Sequence, residues 1–155
     1  MRRAMLNRIT HTFIYVLDQD RAIDFYVGKL GMVVNVDADL GNMRWLTVGP
    51  PEQPELQLVL MLPGPPAYDE ATAQEIRELV AKGGGGGGLI FETDDCRGAY
   101  EKLRAAGVEF IQEPTQRFYG IDCALRDPFG NPIRITQPPA GPVVVPSADE
   151  LRAQM

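Results

Sequence analysis

The chain is poor in the side chains that most often announce chemistry. Its 155 residues hold one histidine, His11, one tryptophan, Trp45, and two cysteines, Cys96 and Cys123. The cysteines share no CxxC spacing and no cysteine-rich context, which excludes a disulfide scaffold and predicts a reduced, cytoplasmic protein. No run approaches the roughly 18 apolar residues of a membrane span. The start, MRRAMLNRITH, has two early arginines but lacks the apolar stretch of about 7–15 residues that a secretory leader needs. Basic residues are outnumbered, 15 against 21 acidic, for a net charge of -6 and a pI near 4.8. That balance argues against nucleic acid and anionic membranes as partners. No nucleophilic triad can be assembled, and no carboxylate pair has a glycosidase spacing.

One feature is abundant instead. Gly83 to Gly88 are six glycines in a row. A phosphate loop would follow its last glycine with Lys and Ser or Thr at a helix start. Here Leu89 and Ile90 follow and open a strand, so the run reads as a linker.

Around that linker the chain repeats itself. ITHTFIYV, Ile9 to Val16, alternates as a strand, with His11, Phe13 and Tyr15 on one face and Thr12, Ile14 and Val16 on the other. Asp18 to Asp20 offer helix caps, Ala22, Phe25 and Tyr26 make a helical stripe, and Gly31 ends it. After the glycines comes the same order: strand Leu89 to Thr93, caps Asp94 and Asp95, stripe Cys96, Ala99, Tyr100 and Leu103, and stop Gly107. Asp18 and Asp95 stand 77 apart, as do Ala22 and Ala99, and Arg44 of RWLTV and Ile121 of IDCAL. The last strands, ELQLVLML and PIRIT, align at the same offset through Leu56 with Ile133 and Leu58 with Ile135. The fold expected is α+β, two tandem βαβββ modules whose curved mixed sheets surround a central cavity. The modules span 8–62 and 88–137. Residues 63–87 form a linker with a surface helix near Glu70 to Lys82, and 138–155 a proline-rich tail, either mobile or docked through Val143 to Val145.

The segments HTFIYVLDQDRAIDFYVGKLGM and GLIFETDDCRGAYEKLRAAGVEF, and the ending RDPFGNPIRITQ, resemble the vicinal oxygen chelate superfamily. It contains glyoxalases, bleomycin-resistance proteins and extradiol dioxygenases, so this fold hosts metal enzymes and metal-free binders alike. The resemblance implies four ligand positions on inward strands, which fall on His11, Gln57, Gly88 and Arg134. Glycine has nothing to coordinate with and a guanidinium repels a dication. His11 and Gln57 alone do not hold a divalent metal, so no metal or other cofactor is expected.

The expected ligand-binding set is His11, Phe13, Tyr15, Trp45, Gln57, Tyr119, Asp122 and Arg134, around a small organic molecule. Trp45 offers a flat wall and Tyr119 a residue at the cavity mouth. Arg134 is either a clamp for a ligand oxygen or half of an internal salt bridge with Asp122 or Glu92. Gln57 can bond Arg134 or His11. The acidic surface favours cationic ligands and Arg134 the opposite. The first reading is a metal-free binder similar to the bleomycin-resistance branch, working as a homodimer through open sheet edges. Two alternatives stand: a metal-dependent lyase, isomerase or dioxygenase with displaced ligands among Glu92, Asp122 or Glu55 with His11, and a cofactor-independent enzyme with His11 as catalytic base and Arg134 as oxyanion stabiliser.

Overall fold

Two short stretches of alternating apolar residues, each followed by an Asp-capped helix, dictate the architecture. The computed structural model describes residues 5–155; Arg2 and Arg3, weighed above as the start of a leader, lie outside the described residues. The first copy runs β1 (His11–Tyr15), α1 (Gln19–Tyr26), β2 (Val33–Asp39), β3 (Arg44–Gly49) and β4 (Gln57–Met61). After α2 (Glu70–Ala81), the second runs β5 (Leu89–Glu92), α3 (Cys96–Ala105), β6 (Phe110–Arg117), β7 (Gly120–Arg126) and β8 (Pro132–Gln137). The fold is α+β, with two mixed four-stranded sheets in the orders β1-β4-β3-β2 and β5-β8-β7-β6. Neither sheet closes on itself. In each, the first and last strands of the copy pair in parallel and the remaining pairs are antiparallel.

The caps fall where the aspartates sit. Asp18 accepts from the Arg21 N–H at 3.0 Å, and Asp95 from the Gly98 N–H at 2.9 Å. Each satisfies a backbone donor that a helix start leaves orphaned, worth about 1 kcal/mol. α1 buries Ala22, Phe25 and Tyr26, on the sheet face that carries Ile14, Leu46, Leu58 and Leu60. α3 covers Cys123, Leu125, Ile133 and Ile135. There the Sγ atoms of Cys96 and Cys123 lie 3.6 Å apart, both buried. Burial first, and the neighbouring thiol second, push the Cys123 thiol up to about 12.

The chain divides into a first unit reaching Gly87 that also takes Asp127–Asn131, and a second of Gly88–Arg126 with Pro132–Met155. The β7–β8 loop therefore belongs by packing to the first unit. Asp127, buried at 5% exposure, explains why: its Oδ1 accepts the N–H groups of Phe129, Gly130 and Asn131. Its Oδ2 accepts the Tyr26 hydroxyl and the Asn131 amide, both at 2.7 Å. Gly130, at φ 115°, has no room for a side chain; a Cβ would come within 2.3 Å of the Val80 carbonyl oxygen.

The offset of 77 holds for β1, the helix and β3, but not for the last strand. Val16 donates to Met61 and Thr93 to Thr136; 93 − 16 is 77 whereas 136 − 61 is 75. The ladders agree, with Phe13 opposite Val59 and Ile90 opposite Arg134. The reason is loop length: five residues, 127–131, turn β7 into β8 where seven, 50–56, turn β3 into β4.

The helix expected in the linker is present as α2, its inner face buried through Ala73 and Val80, and Gly83 and Gly84 close its end by donating to Val80 and Leu79. The tail does not dock through Val143 to Val145, which are 48–75% exposed; it forms α4 (Ala148–Ala153) behind a Ser147–Glu150 capping box.

Candidate functional site

The eight expected ligand-binding residues fall into two groups, one in each unit. His11, Phe13, Tyr15, Trp45 and Gln57 share the face of the first sheet opposite α1. Register places them there: His11 is level with Gln57, Phe13 with Val59, Tyr15 with Met61, and Trp45 lies two residues from Thr47, which is level with Val59. The face is aromatic. Phe13 meets Tyr15 edge-on at 5.4 Å between ring centroids, and His11 lies 6.1 Å from Trp45. His11 is exposed, its Nδ1 2.9 Å from the Thr10 hydroxyl, and Phe13 is half-exposed. Gln57 bonds neither Arg134 nor His11; its Oε1 accepts from the Thr47 hydroxyl at 2.7 Å.

A residue that pattern reading assigned to the linker joins this face. The Tyr15 hydroxyl donates to that of Tyr68 at 2.8 Å, with the rings 6.1 Å apart. Burial, then this bond, raise the Tyr15 phenol well above its usual value, so it stays a neutral donor. Aromatic pairs of this geometry add about 0.5–1.5 kcal/mol beyond area burial. Tyr68 carried one sequence signal: it is the sole aromatic residue between the proline cluster and α2.

Tyr119, Asp122 and Arg134 gather on the second sheet, on the face opposite α3. Here the polar groups satisfy one another. Arg134 donates to Asp122 Oδ2 through Nε at 2.8 Å and through Nη2, and its Nη2 also reaches Gln112 Oε1 at 3.1 Å. The Tyr119 hydroxyl donates to Asp122 at 3.1 Å, Gln112 Nε2 at 3.2 Å, and Arg117 stands 3.8 Å away. Asp122 is fully buried; burial alone would raise its carboxyl, but Arg134, with Tyr119 and Gln112, outweighs it and holds the group below the ordinary range. Of the two roles open to Arg134 from sequence, the structure contains the internal salt bridge, made with Asp122 and not Glu92. Its side chain remains 40% exposed.

The register slip means that Gln57 and Arg134 are not counterparts: Arg134 takes the place of Val59, and Pro132 that of Gln57. A Cβ on Gly88 would lie 3.3 Å from the Pro132 ring, so these two form the counterpart of His11 and Gln57. Neither glycine nor proline offers a donor atom, and Gln57 is engaged by Thr47. The residues present do not fit a metal of the kind used by enzymes of this fold. Among the described residues, no three His, Cys, Asp or Glu side chains come together as a metal-holding group. No helix among them is long and apolar enough to cross a membrane.

Comparison with known proteins agrees with the fold. The solved structure of UcmS2 is 46% identical and superposes with a TM-score of 0.79, covering 85% of this chain and 98% of its own. TnmS3, an antibiotic binding protein from Streptomyces sp. CB03234, is 26% identical with a TM-score of 0.70, over 88% of this chain and all of its own. YurT, an uncharacterized protein of Bacillus subtilis (strain 168), is 34% identical over 131 residues, 84% of this chain and 98% of YurT. The family model for the glyoxalase/bleomycin resistance protein/dioxygenase superfamily matches residues 8–135. With two βαβββ copies and a match across most of its length, the chain belongs to that superfamily.

Proposed function

We propose that the protein binds a small organic molecule, of the antibiotic class, against the open face of its first sheet, and does so without a metal. The observation that carries this reading is the aromatic cluster of His11, Phe13, Tyr15, Trp45 and Tyr68 on one sheet face. Flat apolar walls with a few fixed polar groups suit a planar ligand. The antibiotic-binding role stated for TnmS3 supports the ligand class. Protection then comes from stoichiometric capture and needs no reaction. Arg134 has Asp122 as its counter-ion, which weakens its case for an anionic ligand. The net charge of -6 then favours neutral or cationic molecules.

In this reading the protein acts in the cytoplasm as a homodimer. The edge strand β2 supports association, since Val33, Val34 and Val36 are 38–42% exposed beside unpaired backbone groups. Light scattering on purified protein gives its mass directly.

The functional test uses Trp45 as the single intrinsic fluorophore of its kind. EDTA-treated protein is titrated with planar cationic and neutral antibiotics. The expected result is saturable quenching at one ligand per chain, with the ligand recovered chemically unchanged. Conversion of the ligand, abolished by His11→Ala, or binding that requires an added divalent ion, would overturn the reading.

A further inference from the structure

The first unit carries a groove that the aromatic face does not use. About 260 Å³ in volume, it lies where β4 leaves the sheet and β3 enters it. Met43, Met61 and Leu62 line it, with the chain from Pro63 to Ala67 as its outer wall. Two arginines stand at its rim, and each is already answered. Arg44 pairs with Asp20 and Asp37 at 2.8 Å, and Arg77 with Glu70 at 2.7 Å. Arg77 also donates to the Pro63 carbonyl, and Gln19 spends its amide on the carbonyls of Leu60 and Arg44. Arg44, Arg77 and the Gln19 amide are satisfied within the protein and Asn42 adds one exposed amide, so most of what the groove presents to a visitor is thioether, aliphatic and proline surface.

The groove and the aromatic face share a residue. Met61 is level with Tyr15 in the ladder, so it belongs to the open face, and it also lines the groove. Tyr68, bonded to Tyr15, follows Ala67 directly in the sequence. Through Met61 the groove adjoins the face on which Phe13 and Tyr15 lie.

We propose that this groove is a specificity subsite for an uncharged aliphatic substituent, branched or linear, carried by the planar ligand. The inference rests on the binding role proposed above. It assigns the linker segment Pro63–Tyr68 a function, selecting among ligands that share a flat core. A charged substituent is disfavoured, because Arg44 and Arg77 have no unpaired charge to offer and the walls cannot solvate one.

The test compares two neutral compounds, 2-naphthol and 6-butyl-2-naphthol, by equilibrium dialysis against the intact protein. Each buried methylene is worth roughly fourfold in affinity, so the butyl compound should bind at least tenfold tighter. Ala67→Phe, and separately Met43→Phe, fill the groove from opposite sides. Both should erase that advantage while leaving 2-naphthol affinity within twofold. Equal binding of the two compounds to the wild type, or an advantage that survives in both filled variants, overturns the subsite and leaves the aromatic face standing. Failure of both compounds to bind overturns the subsite together with the reading on which it rests.

Discussion

The two sheets descend from one pattern, yet their open faces do opposite things. In the first, the row Phe13, Val59 and Thr47 sits among aromatic rings that have surface to spare. In the second, the matching row is Ile90, Arg134 and Ala124, and the counterpart of Trp45 is the buried Asp122. One face presents apolar and aromatic area, which the proposed function gives to a ligand. The other spends its polar groups on itself. Duplication supplies two equivalent surfaces, and substitution has given them different chemistry.

The contrast breaks most completely at Asp127, which belongs by sequence to the second copy and by packing to the first. Asp127→Ala strands the buried Tyr26 hydroxyl and the Asn131 amide and frees three loop N–H groups. A loss of about 3–4 kcal/mol in urea unfolding is expected, with ligand affinity unchanged in the folded fraction. Asp122→Ala is next. It leaves Tyr119 without its acceptor and Arg134 with Gln112 alone, and because Arg134 is partly solvated the expected cost is about 2 kcal/mol. A larger effect on ligand affinity than on unfolding would move Asp122 from the structural to the binding side.

Phe13→Ala sharpens the same contrast from the other sheet. The ring is 51% exposed, so stability should change by less than about 0.5 kcal/mol while ligand affinity falls about tenfold. Dependence on pH is a finer probe. The Asp122 carboxyl lies below its ordinary value in the folded protein, so its contribution is complete above about pH 4. That contribution is lost as pH falls through the depressed value. Unfolding midpoints of wild type and Asp122→Asn should therefore differ most at neutral pH and converge in acid. The smallest signal is chemical. Cys96 and Cys123 are buried with raised thiol values, so native protein at pH 8 should resist iodoacetamide and label at both positions only on unfolding.

Much of this was readable from residue order. Asp18 and Asp95 act as caps, the stripes Ala22–Phe25–Tyr26 and Cys96–Leu103 face their sheets, and Gly31 and Gly107 take positive φ. Each of these is decided by neighbours a few positions away. The slip in β8 was not readable, since a strand moved by two residues keeps every side chain on its face and every apolar alternation intact. The Tyr15–Tyr68 and Cys96–Cys123 contacts span 53 and 27 residues, and no local pattern reports such distances. The Ser147–Glu150 capping box has its own local spelling, Ser-Ala-Asp-Glu, behind a proline-rich approach that argues against a helix.

The shorter turn at Asp127–Asn131 shows how a sheet can be retuned without a single substitution. Deleting one residue there would turn β8 inside out and expose its core. Deleting two slides the strand by roughly 7 Å and delivers a different set of side chains to the same side. Paired insertions and deletions in this turn are thus an evolutionary step of their own, one by which duplicated sheets acquire new surface chemistry from residues they already possess.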